Sequence, residues 1–81
     1  MLRELPEEIK EIVRDRDVNT MEAQVMYKNW KGDIGIRSIL PLRILYGKTD
    51  YYPREQWLLK VWDFDKDDYR TYALKNIMEW I

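Results

Sequence analysis

Eighty-one residues, 46% of them hydrophobic and 36% charged, suffice for one small domain and are too apolar for a disordered polar tract. The chain has no cysteine and no histidine. That excludes a disulfide framework, a thiolate zinc site, a cysteine nucleophile and the usual general base at neutral pH. The net charge of −1 is unevenly spread: residues 1–20 carry −2, residues 21–62 carry +3 and residues 63–81 carry −2. The middle of the chain can therefore attract an anion without the overall basicity of a non-specific DNA binder.

Leu5-Pro6-Glu7-Glu8 reads as a helix start, with proline near the first turn and acids facing the positive end of the dipole. Leu5, Ile9, Ile12 and Val13 follow at helical spacing and predict a narrow apolar stripe, with the helix ending near Arg16 to Asn19. Such a helix serves as a lid over a sheet or as a surface for a partner. Glu22 to Trp30 reads as a strand, and Lys31-Gly32-Asp33 as a hairpin turn.

The stretch Ile34 to Asp63 holds two runs rich in Ile, Leu, Val, Trp and Tyr, and the rest of the chain is organised around it. Pro41 cannot donate to a ladder, so a sharp corner is expected there, separating two strands. Gly47 to Pro53 is a loop whose Tyr51 and Tyr52 are expected to fold back over the mouth of a barrel. Gln56–Asp63 is the next strand, Asp65–Asp68 a tight acidic turn, and Tyr69–Leu74 the last strand. Leu74–Ile81 has the spacing of a short helical turn, with Leu74, Ile77, Met78 and Ile81 inward.

The order predicts a mainly β (α+β) fold in one domain. Residues 1–20 form an N-terminal helix packed on residues 21–81, a small five-stranded antiparallel barrel of Sm or SH3 type. No apolar run approaches the roughly 18 residues of a membrane span, and the first residues lack a signal-peptide core. A cytoplasmic location with no membrane contact is the expectation.

Tyr27, Gly32, Arg37, Pro41-Leu42, Trp57-Leu58-Leu59, Arg70, Tyr72, Leu74 and Ile77 together give a pattern that resembles the WYL domain family across roughly residues 23–78. In that family a tyrosine strand leads to a turn glycine, an arginine strand, a proline corner, the Trp-Tyr-Leu strand, and an Arg-x-aromatic-x-Leu stretch. The resemblance implies an Sm-like barrel acting as a ligand-sensing or regulatory module, as in bacterial transcription factors and defence proteins. The implied ligand is nucleic acid or another negatively charged molecule. Leu58 stands in place of the signature tyrosine, and Ala73 and Asn76 occupy positions where the family often has arginines. About 20 residues precede the expected barrel, too few for a helix-turn-helix, so the chain reads as a stand-alone WYL-like domain of bacterial or phage type.

Arg37, Arg43, Lys60 and Arg70 are cations placed within the predicted strands from Ile34 onward. Arginine's planar fork suits phosphate, which makes Arg37 and Arg70 the leading ligand candidates, with Arg43 and Lys60 behind them. The competing reading is that each is solvated or paired with an acid. Tyr27 and the loop tyrosines Tyr46, Tyr51 and Tyr52 are the aromatic candidates for stacking on a base or bounding the pocket, whereas Trp57 is expected in the core and Trp62 on the opposite side of its strand.

The run Asp63-Phe64-Asp65-Lys66-Asp67-Asp68 has acids at calcium-loop spacing but lacks the glycine and the terminal glutamate of such a loop. A solvated turn explains it, and neither metal nor cofactor is expected. Ser38 has no histidine to activate it, so no catalytic residue is assigned. The expected function is non-enzymatic binding of an anionic ligand, single-stranded nucleic acid or a nucleotide. The alternative is a small protein that docks on a protein partner. A homodimer is compatible with either.

Overall fold

In the computed structural model, residues 5–15 and 22–81 are described. The expected helix end near Arg16 to Asn19 and the inward placing of Val13 fall outside the described residues. The protein is mostly β. Helix α1 (Glu7–Asp15) precedes strands β1 (Ala23–Lys28), β2 (Ile34–Gly47), β3 (Gln56–Asp63) and β4 (Asp68–Ala73). A 3₁₀ turn (Leu74–Asn76) then leads to β5 (Ile77–Trp80). All pairings are antiparallel, in the order β4-β3-β2-β1-β5.

Two expectations fail for physical reasons. Pro41 does not divide two strands: β2 runs unbroken for 14 residues, and a register shift between Pro41 and Arg43 absorbs the missing donor. The C-terminal segment is not helical beyond its first turn. Its helix-like spacing is overridden because β1 offers an open edge, so Ile77 pairs with Tyr27 and Trp80 with Val25. Met78 and Ile81, expected inward, are exposed.

The sheet is open, not the closed barrel expected. β4 and β5 are its two edges, and no ladder joins them. It nevertheless curls strongly. Tyr27 on β1 and Tyr72 on β4 sit three strand spacings apart, about 14 Å in a flat sheet. Their rings stack at 3.9 Å between centroids and 14° between planes. Side chains close the gap that backbone pairing leaves, because β5 is engaged with β1 and the short 3₁₀ turn carries the chain away from β4.

Both faces of the central strands are covered, and this explains the apolar runs without clean alternation. On the inner, concave face, Val25, Tyr27, Ile39, Leu59, Val61 and Tyr72 form one cluster. On the outer face Ile9 of α1 meets Leu40 and Trp62, with Leu5, Ile12, Leu42, Phe64 and Tyr69 around them. Neighbours such as Ile39 and Leu40, or Val61 and Trp62, are thus all buried but serve different cores. No helix among the described residues is long and apolar enough to cross a membrane.

Candidate functional site

The concave face opens into a recess of about 350 Å³, within the range of small-ligand sites. Its base is the stacked pair Tyr27 and Tyr72. Burial, reinforced by the hydrogen bond to Asp63, raises the Tyr72 phenol far above its usual range. Burial and the Tyr52 hydroxyl raise Tyr27 in the same way. The Arg37 guanidinium stands near enough to both rings to oppose that rise in part.

Asp63 anchors this base from the end of β3. It is only 2% exposed, and its carboxylate is fully engaged. One oxygen accepts the backbone N–H groups of Asp65 and Lys66 at 2.9 and 3.1 Å, and the other accepts the Tyr72 hydroxyl at 2.8 Å. A buried charge is tolerable because several donors satisfy it. The acidic turn is thereby folded onto its own first residue, and the Asp65 carboxylate accepts the Ser38 N–H at 2.9 Å. These carboxylates support the site without lying free in it.

The loop after β2 closes one side. Thr49 and Tyr52 exchange backbone hydrogen bonds, and the Thr49 hydroxyl accepts the N–H groups of Tyr51 and Tyr52. This tight turn throws both tyrosines back over the sheet. The Tyr52 and Tyr27 hydroxyls share a hydrogen bond of 2.6 Å, and Tyr27 also accepts the Ala73 N–H at 3.2 Å. Tyr51 leans on Trp30, centroids 5.3 Å apart. Trp30 is presented by a turn in which the Asn29 side chain accepts the N–H groups of Lys31 and Asp33, and Gly32 supplies a φ of 93°.

Arg37 and Arg70 line the same recess, with Lys66 beside them. Arg37 lies back along β2 over Gly35. A Cβ there would meet its Nη1 at 2.6 Å, so glycine makes room for the guanidinium. Among the described residues it donates to the neighbouring Ile36 carbonyl at 3.3 Å, and no carboxylate pairs with it. Arg70 donates to Asp68 at 2.9 Å, but its side chain is 44% exposed, and such a surface pair is weak enough to be exchanged for a ligand.

The other sequence candidates lie elsewhere. Arg43 pairs across the sheet with Lys60, so both lie on the outer face with α1, where the Lys60 ammonium stands 5.1 Å from the Tyr69 ring. Tyr46 lies at the far end of β2 against Trp57, edge to face at 5.1 Å. Trp57, expected in the core, is 58% exposed because it lies beyond the reach of the curled sheet; Trp62 takes the buried place under α1. Tyr52 is one of the loop tyrosines expected to bound the pocket, whereas Asp63, Tyr72 and Trp30 were not assigned as site residues. The pleat alone puts Tyr72 on the face of Arg70, a signal present in the sequence.

Fold and recess define a small antiparallel β protein with a basic, aromatic-walled cleft on its concave face. Comparison of the chain with protein families, curated proteins and solved structures gave no match.

Proposed function

We propose that the protein is a non-enzymatic binding module for an anionic ligand, a nucleotide or single-stranded nucleic acid, and that it is a WYL-like domain of Sm/SH3 type. The observation that carries the reading is Arg37: a guanidinium without a carboxylate partner among the described residues, beside stacked tyrosines in a cleft of ligand size. Phosphate would take the forks of Arg37 and Arg70, and the aromatic wall would bound a base. A long bent β2, a 3₁₀ turn before β5 and the order β4-β3-β2-β1-β5 support the Sm/SH3-type reading. Two departures from the family pattern fall away from the recess: Leu58 and Ala73 pair with each other on the outer face, both fully buried. Asn76 instead reaches the Tyr52 hydroxyl at 3.5 Å.

Titration of a fluorescent nucleotide against wild type, Arg37→Ala and Arg70→Ala tests this. Loss of a charge-assisted contact is expected to weaken binding about tenfold or more for Arg37→Ala, and less for Arg70→Ala. Wild-type binding that neither variant nor salt alters would remove the reading. A second reading, docking on a protein partner, is favoured by one observation: Ile44, Tyr46 and Trp57 are exposed side by side on the β2–β3 arm. A stoichiometric protein partner lost on Trp57→Ala, with no nucleotide bound, would establish it instead.

A further inference from the structure

A second recess of about 360 Å³ adjoins the first and shares Asn29, Trp30, Tyr51 and Tyr52 with it. Its cations come from three separate places in the chain: Lys28 at the end of β1, Lys31 in the following turn and Lys75 in the 3₁₀ turn. Among the described residues, no carboxylate lines it. The divider between the recesses is aromatic and outward-facing, with Trp30 54% and Tyr51 63% exposed. The Lys31 ammonium stands 5.4 Å from the Trp30 ring. Exposing two large rings at the rim of a cationic hollow is costly in water, and it suits a ligand that brings a planar group between two negative charges.

We propose that the ligand is a single-stranded oligonucleotide, not a mononucleotide. One phosphate sits at Arg37 and Arg70, the strand crosses the Trp30–Tyr51 divider with a base against it, and the next phosphates meet Lys28, Lys31 and Lys75. This rests on the anion-binding reading of the first recess and adds a direction and a minimum length to it. A mononucleotide brings one phosphate to two separate cation groups, whereas a sugar–phosphate chain carries its charges in series. A duplex keeps its bases stacked inside and has none to offer the divider.

The test uses fluorescence anisotropy with thymidine monophosphate, a short labelled oligothymidylate and its duplex, against wild type, Lys31→Glu and Trp30→Ala. Both substituted side chains lie in an exposed turn outside the two core clusters. The oligonucleotide is expected to bind at least about tenfold tighter than the mononucleotide and the duplex. Lys31→Glu, whose side chain lines only the second recess, is expected to remove most of that gain while leaving mononucleotide affinity as in wild type, and Trp30→Ala, whose ring lines both recesses, to weaken the oligonucleotide more than the mononucleotide. The salt dependence of oligonucleotide binding is expected to flatten in Lys31→Glu. Equal affinity for mononucleotide and oligonucleotide, unaltered by either variant, would overturn the inference and leave the first recess intact. Equal affinity for the duplex would overturn it as well. Binding of none of the three would bring down both.

Discussion

The two faces of this sheet use similar residues to opposite ends. On the outer face, Trp62 meets Tyr69 edge to face at 5.1 Å, Ile9 and Leu40 fill the remaining space, and Tyr69 donates to Glu8 at 2.9 Å. On the concave face, the tyrosines stack flat, a buried carboxylate holds one of them, and a guanidinium lies over a glycine with no acid paired to it among the described residues. The outer face is packed against α1, and the Trp62 Nε1 is buried there without a hydrogen-bond partner among the described residues. The inner one has its aromatic base fixed, with Arg70 in an exposed pair with Asp68 and Arg37 without a carboxylate partner among the described residues. Aromatic content alone therefore does not mark a site; what marks it is charge that the fold positions and does not cancel.

The largest way to break the contrast is Asp63→Ala. It leaves the Tyr72 hydroxyl and two backbone N–H groups without their acceptor, and chemical denaturation is expected to show a loss of about 3 kcal/mol or more. Ile9→Ala attacks the other face. A fully buried side chain under α1 is expected to cost about 3 kcal/mol, with the recess unaltered and nucleotide affinity retained.

Alkaline unfolding sharpens the difference. Tyr27 and Tyr72 both have folded-state pKa values raised above the unfolded value of 10.0, by burial first. Stability is then flat below about pH 10, where the phenol is neutral in both states. It falls as pH rises further, because only the unfolded chain can ionise. These two groups together contribute a slope of about 2.7 kcal/mol per pH unit, and Tyr72→Phe is expected to halve that contribution. The smallest effect is Gly35→Ala. The guanidinium end is flexible and can move aside, so stability should change by about 0.5 kcal/mol or less, while nucleotide binding weakens as Arg37 is displaced.

The sequence shows strand content well where β-branched and aromatic residues cluster. Ala23–Lys28 and Gln56–Asp63 lie where those runs are. It misleads where tertiary partners decide. Pro41 reads as a break, but a register shift lets a single strand bend through it. Leu74, Ile77, Met78 and Ile81 read as a helical face, but the open edge of β1 draws the segment into a strand. Among the site candidates, Tyr27, Arg37 and Arg70 share a face once register is known, since Val25 pairs with Arg37 and Val61 with Arg70. Arg43 falls on the other side because the shift at Pro41 flips the pleat, and no local pattern announces that. Asp63 looked like one more turn acid. Its burial depends on the curl that brings β4 over β1, which is invisible to spacing.

The most direct test maps the ligand onto the two faces by amide NMR. Titrating nucleotide into the labelled protein is expected to shift the signals of Gly35, Arg37, Tyr52 and Arg70 and to leave those of Arg43, Lys60 and Ile9 in place. Shifts confined to Arg43 and Lys60, or none at all, would contradict the assignment of the concave face as the binding surface.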